Sequence, residues 1–391
     1  MKRLITYSGI ILLLLTGCVD KSYKGVLSEM LADEELPVQI IIGDPGDILE
    51  SKGSGALEDS DPTVWEGKTI HIYAFKRDIN SDYSVTSATG KEDCLIDASC
   101  DTDGCIAGKE ASVNAADQYV TWNGANKVLY YKPGNHPYDF FAYYTDVPVA
   151  DEDIYRSRED VRIVIDIDGS SDIMSAHAQL TEQQLSRPGF SEMDRLDLTS
   201  YSFSAWSAKR NIHPVMYFKH HLTRFNFQVR AGWDLADEII IDSLVIASKK
   251  KAVFTVANKN PNLLGLDFSS APYDRIPLSE ADGSMIQKDS YKLHYVEGSE
   301  EMTPVGGSLM VAPDTRYDAY LYLKQKMPDG EIKTHENHIN LTCTEGRFDA
   351  GSHYLVSAVI YGLTSVDITV TLDQWKDGGS VNIGSDRFED E

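Results

Sequence analysis

Apolar and polar positions alternate with a period of two along most of the chain. Ile70, Ile72 and Ala74 alternate with His71, Tyr73 and Phe75, and Phe225, Phe227 and Val229 alternate with Asn226 and Gln228. Successive side chains of a strand point to opposite faces, so this spacing predicts strands laid on a core. Strands are predicted over 128–132 and 138–144, joined by the turn sequence Pro133-Gly134-Asn135. Others are predicted over 162–167, 239–247, 252–256, 308–311, 319–323, 354–360 and 366–372. The one helical expectation in the first half covers 172–185. Many short strands with turn signals between them predict an all-β fold of sandwiches. A chain of 391 residues exceeds one ordinary domain and predicts two. The boundary is expected near 205–214, ahead of Pro214-Val215-Met216-Tyr217-Phe218, dividing 63–210 from 211–391. Polar stretches at 78–117 and 258–305 are expected to be surface excursions.

The N-terminus departs from this pattern. Met1-Lys2-Arg3 precedes an apolar run from Leu4 to Leu15, closed by Leu15-Thr16-Gly17-Cys18. A basic start, a short apolar segment and small residues before a Cys read as a bacterial lipoprotein signal over 1–17. The Cys18 thiol is then the site of lipidation, and two or more acyl chains anchor stably where one does not. Such a signal predicts an exported, lipid-anchored protein. Residues 18–35 read as a tether. An isolated apolar run, Val38-Gln39-Ile40-Ile41-Ile42, is closed by Gly43-Asp44-Pro45-Gly46 and a loop extending to 62.

The formal charge of −25 argues against nucleic-acid binding, which needs a basic surface. With Cys18 acylated, Cys94, Cys100, Cys105 and Cys343 remain. An exported compartment permits disulfides, and a local bridge among Cys94, Cys100 and Cys105 is favoured over zinc, since no C-x-x-C pair or nearby His is present. Ser99-x-Asp101-x-Asp103-Gly104 with Glu110 resembles a calcium loop, with Asp101, Asp103 and Glu110 as oxygen ligands. The first ligand position is Ser, however, and two cysteines lie inside the loop. His335-Glu336-Asn337-His338 is one residue short of H-E-x-x-H, so its two histidines share neither a helix turn nor a strand face. His220-His221 reads as structural, one buried and one exposed. No nucleophile, phosphate or dinucleotide motif stands in a helical or strand context, so no catalytic residue and no cofactor is assigned.

The order of motifs resembles the fimbrillin (type V pilin, Mfa-like) family of Bacteroidetes. The resemblance is carried by the signal ending at Cys18, the isolated strand 38–42, and Trp65-Glu66-Gly67-Lys68-Thr69-Ile70-His71-Ile72-Tyr73. It continues through Tyr130-Tyr131-Lys132-Pro133 with Tyr138-Asp139-Phe140-Phe141-Ala142-Tyr143-Tyr144, and through Phe218-Lys219-His220-His221-Leu222-Thr223-Arg224-Phe225. Gly351-Ser352-His353-Tyr354 and the closing Val370-Thr371-Leu372-Asp373-Gln374-Trp375-Lys376-Asp377-Gly378-Gly379 complete it.

The resemblance implies two transthyretin-like sandwiches and a subunit of a surface fimbria supporting adhesion. In shaft subunits of the family, a protease cuts after a basic residue behind the first strand. A C-terminal strand of another subunit then fills the vacated groove. Here Val38, Ile40 and Ile42 form one apolar face, whose burial is worth roughly 5–9 kcal/mol before chain entropy is counted. An emptied slot of this kind would be a template for strand addition. Donor candidates are Val366, Ile368, Val370 and Leu372, or the tail through Trp375, Val381 and Ile383; in the second case 366–372 stays paired within its own domain. The expected cleavage Arg is missing, and Lys52, before Gly53, is the sole basic residue of 43–62. An uncut subunit would suit an anchor or accessory position. The alternative reading is a standalone outer-membrane surface lipoprotein that binds a glycan or a host or bacterial surface receptor through Trp122 and Trp206.

Overall fold

The computed structural model describes residues 36–43, 65–77, 94–96, 107–124, 128–132, 136–157, 160–234, 238–287 and 289–372. In chain order the strands are β1 (Ile41–Ile42), β2 (Thr69–Lys76), β3 (Cys94–Ile96), β4 (Lys109–Val113), β5 (Val120–Trp122), β6 (Tyr138–Thr145), β7 (Ile154–Arg156), β8 (Asp160–Asp166) and β9 (Ile173–His177). Three short helices follow: α1 (Glu182–Leu185), α2 (Glu192–Ser200) and α3 (Ala205–Ala208). Each starts at a reciprocal capping box, set by Thr181/Gln184, Ser191/Asp194 and Ser204/Ser207. The remaining strands are β10 (Val215–Met216), β11 (Lys219–His220), β12 (Thr223–Ala231), β13 (Glu238–Lys249), β14 (Lys251–Asn258), β15 (Gly265–Asp267), β16 (Tyr273–Pro277), β17 (Tyr291–Lys292), β18 (Thr303–Val311), β19 (Tyr317–Lys326), β20 (Ile332–Leu341), β21 (His353–Gly362) and β22 (Ser365–Leu372). The fold is all-β, as the alternation predicts.

The first sheet has the order β11-β9-β6-β2-β4-β5, with β3 also on β2. Both of its faces are covered. Ile70, Ile72, Ala74, Phe140 and Ala142 belong to one apolar cluster; Tyr73, Phe75, Phe141 and Tyr143 belong to another. Tyr, Phe and Ala therefore stand where a half-solvated sheet would carry polar residues. The second of these faces is covered by the sheet β15-β14-β8-β7, with Phe254 of β14 edge-on to Tyr143 at 6.0 Å between centroids. Two further sheets, β18-β12-β21-β22 and β16-β13-β19-β20, enclose an aromatic centre of Phe225, Tyr317, Phe348 and Tyr354. One continuous apolar cluster joins Tyr73 and Tyr143 to these residues.

Strand pairing revises several sequence expectations. The helix expected over 172–185 is strand β9 followed by the single turn α1, because Ile173–His177 is paired on both sides, by β6 and β11. Two-sided pairing overrides weak local helical spacing. The strand expected over 128–132 reduces to one bridge, Tyr130 with Pro37. The excursion at 78–117 contributes β3 and β4, and that at 258–305 contributes β15, β16 and β17. Strand pairing crosses the 210/211 division: β11 pairs with β9, Val215 is bridged to Gln179, and β14 pairs with β8 from Lys251↔Asp166 to Asn258↔Asp160. Only Lys250 separates β13 from β14, so one extended run serves two sheets. The turn 133–135 lies outside the described residues.

Phe254, fully buried between Tyr143 and His221, links the halves. Phe254→Ala is expected to cost about 3–5 kcal/mol by leaving a cavity. Guanidinium unfolding should show the midpoint falling with little change in slope.

Candidate functional site

Residues 36–43 lie extended, with hydrogen bonds on both sides. On one side, Ile41 N–H donates to Pro214 O (3.0 Å) and Gly43 N–H to Met216 O (2.9 Å). On the other, Val38 N–H donates to Leu129 O (2.7 Å) and Ile42 N–H to Gln118 O (3.0 Å). The segment accepts there from Tyr131 N–H at Leu36 O and from Val120 N–H at Ile40 O, both 2.9 Å. β1 is parallel to β10, with Ile41 opposite Val215 and Ile42 opposite Met216. Ile41 is also bridged to Tyr119 beside β5, and Val215 to Gln179 just past β9. The pairings thus close into a ring through β9, β6, β2, β4, β5, β1 and β10, with 36–43 as one stave.

The side chains follow the sequence expectation. Val38, Ile40 and Ile42 are 5%, 0% and 2% exposed, while Gln39 points outward. They share a cluster with Trp122, Tyr131, Tyr138, Phe140, Met216 and Phe218. The Tyr131 hydroxyl is buried with no hydrogen-bond partner among the described residues, and burial, then Tyr138, pushes its ionisation upward. At the end of the strand the Tyr217 ring lies over Gly43: a Cβ there would sit 2.4 Å from Tyr217 Cε1. The flanking residues 118–120, 129–131 and 214–217 were not identified from the sequence as partners of 38–42. The run at 214–218 is visible in the sequence, but its pairing is non-local.

At the other end of the chain, β22 is paired antiparallel with β21 over its length, from Leu372↔Tyr354 to Ser365↔Gly362. Val366, Ile368 and Val370 are half-buried against the second core and Leu372 is exposed, so this strand occupies a sheet edge within its own half. Trp375, Val381, Ile383, Cys18, Lys52, Gly53, Cys100, Cys105, Asp101 and Asp103 lie outside the described residues. Cys94 is in β3, opposite Phe75. Glu110 is exposed in β4, opposite His71. Cys343 is a free thiol donating to Arg347 O at 3.0 Å.

Trp122 and Trp206, the aromatics of the glycan-binding alternative, are 4% and 1% exposed. Neither ring is presented to a ligand: Trp122 lines the cluster around 38–42, and Trp206 packs with Tyr201 beneath the Arg210 guanidinium. His335 and His338 lie on β20, where His338 Nε2 is 3.0 Å from Asp318 Oδ1; Glu336 instead meets Arg275. Both residues of the 220–221 pair are engaged. His220 Nδ1 is 2.8 Å from Asp172 Oδ2, and His221 Nε2 is 2.7 Å from Ser175 Oγ. Burial alone would raise Asp172, but His220 and the Ile173 amide hold its carboxyl below the usual range.

Ile40→Ala should cost about 2–5 kcal/mol and Gln39→Ala under about 0.5 kcal/mol, read as shifts in unfolding midpoint. Burial brings His213 down to about 4; burial, with His220 and Lys219 adding to it against Asp172, brings His221 to about 4. From about pH 6.5 down to about 4, the unfolded chain takes up protons that these folded histidines refuse. Stability is therefore expected to fall with acidification across that window. His221→Gln should flatten the slope by up to ~1.4 kcal/mol per pH unit, measured by denaturant titrations at stepped pH.

A family model described as fimbrillin-like matches residues 63–375. No curated protein sequence matches the chain. Among solved structures, a Bacteroides uniformis protein named for cell adhesion is 14% identical, covers 88% of this chain and 99% of its own, and has a TM-score of 0.45. The fimbrial anchor protein Mfa2 of Porphyromonas gingivalis is 10% identical, with 87% and 99% covered and a TM-score of 0.32. A fimbrial assembly protein of Parabacteroides distasonis is 8% identical, with 87% and 98% covered and a TM-score of 0.29. With its family model spanning 63–375, the chain belongs to the fimbrillin-like family, a fimbrial protein as its motif order implied.

Proposed function

We propose that the chain is a structural subunit of a cell-surface fimbria that assembles by strand exchange and supports adhesion. Residues 36–43 act as a removable plug, and the C-terminal tail of another subunit takes their place. One observation carries the reading: a short N-terminal segment, remote in sequence from its partners, is paired on both sides and closes an apolar core.

The physics favours exchange over simple loss. Three aliphatic side chains leave the core with the strand, and backbone groups of 118–120, 129–131 and 214–216 lose their partners together. Unpaired backbone groups at an apolar edge are costly, so an incoming strand recovers both terms. A tail donor leaves β22 in place, since β22 is already paired along its length. In this reading Trp375, Val381 and Ile383 belong to the donor, whereas Val366, Ile368, Val370 and Leu372 stay with β21. Two sandwich-like halves sharing the seam at Lys250 carry the donor end and the acceptor groove.

Lipidation at Cys18 delivers the subunit to the outer membrane, and cleavage after Lys52 frees the plug. Protein recovered from the cell surface should then start at Gly53 and run as detergent-resistant multiples. N-terminal sequencing with unheated electrophoresis checks this. A blocked Cys18 on a monomer would refute assembly by plug release.

A further inference from the structure

Gly43 is required by space rather than by backbone. Its φ is not in the left-handed region, yet the site of its missing Cβ is filled by the Tyr217 ring, with Cε1, Cδ1 and Cζ at 2.4–2.8 Å. An aromatic ring laid over a strand glycine is a known way to pin strand register. Tyr217 directly follows Met216, whose carbonyl binds the Gly43 amide, so ring and hydrogen bond read the same residue. Any strand that fills this groove as 36–43 does must meet a three-part pattern: apolar residues in the places of Ile40 and Ile42, then a residue without a side chain.

The chain beyond β22 contains that pattern once. Val381-Asn382-Ile383-Gly384 aligns with Ile40-Ile41-Ile42-Gly43, and Ser380 falls in the place of the outward-pointing Gln39. The two other tail glycines fail. Gly378 would put Asp377 in the pocket of Ile42, and Gly379 would put Gly378 there. With Gly384 at the Gly43 position, Asn382 falls at Ile41, a half-exposed place suited to an amide. Gly379 falls at Val38, so positions 40, 42 and 43 carry the fit.

Building on the strand-exchange reading, we propose that Tyr217 and Gly384 form a register key. Residues 380–384 of a second copy enter the groove parallel to β10, with Val381 and Ile383 in the pockets of Ile40 and Ile42 and Gly384 beneath Tyr217. The key explains how a short donor rich in glycine and polar residues seats in one register. A one-residue slip would turn Asn382 inward, and a two-residue slip would put Asn382 or Asp386 under the ring.

The test uses full chains with a specific protease site inserted between residues 44 and 62, so that the first strand is released on demand. One population carries Val215→Cys and the other carries Ser380→Cys, Asn382→Cys or Gly384→Cys. Since Ile41 lies opposite Val215, the key predicts a disulfide between copies for Asn382→Cys alone. Gly384→Val should lower the yield of detergent-resistant multimers at least tenfold, and Tyr217→Ala in the acceptor should restore it. Linkage at Ser380→Cys or Gly384→Cys instead, or normal multimers from Gly384→Val, overturns the key. Linkage only within a chain carrying both cysteines overturns the second copy as occupant. A chain lacking 373–391 separates the two readings: if it still forms multimers, tail exchange itself is refuted. If it does not, and Gly384→Val assembles normally, only the register key falls.

Discussion

The fold of the first half depends on who supplies the backbone partners between β5 and β10. Residues 36–43 fill the gap between β5 of the first sheet and β10 with hydrogen bonds on both sides. A closed ring has no edge to offer another chain; a ring missing a stave has two. Burial and pairing at that gap are coupled. The same residues that close the backbone ladder insert Val38, Ile40 and Ile42 into the core. An occupant of the gap is thus a structural requirement.

The second half is tied to the first by continuous strand and side-chain contacts. β13 continues into β14 across Lys250, so the strand that organises the distal sandwich also seals the aromatic face of the first sheet. The buried Asp172–His220 contact ties β9 to β11 just before the chain enters β12. Breaking such a buried pair leaves an uncompensated charge. Together these features join the aromatic face of the first sheet and the C-terminal half in one core, distinct from the cluster around 38–42.

Legibility in the sequence varied with the locality of the cause. The alternation at 70–75, 225–229 and 319–323 states its own strand and its own face, because side-chain direction is a local property. The inward face of 38–42 was legible for the same reason. The helix expected over 172–185 failed because Ile173–His177 is held by β6 and β11, which are distant in sequence. The 128–132 stretch has strand composition, yet its pairing is a single bridge, Tyr130 with Pro37, to a segment about ninety residues away. Trp122 and Trp206 stand beside polar residues in the sequence and are nevertheless interior, since neighbouring elements cover them.

By itself the chain of letters determined the all-β character, the family and the apolar face of the first strand. Each of these is written in local spacing or in a short ordered motif. Only the tertiary structure decided that 36–43 is paired on both sides, that β14 crosses into the other half's sheet, that β22 is paired with β21, and that Tyr217 occupies the space over Gly43. Those outcomes depend on contacts between residues tens to hundreds of positions apart. Strand pairing discriminates among partners through shape and register, which no single segment carries alone.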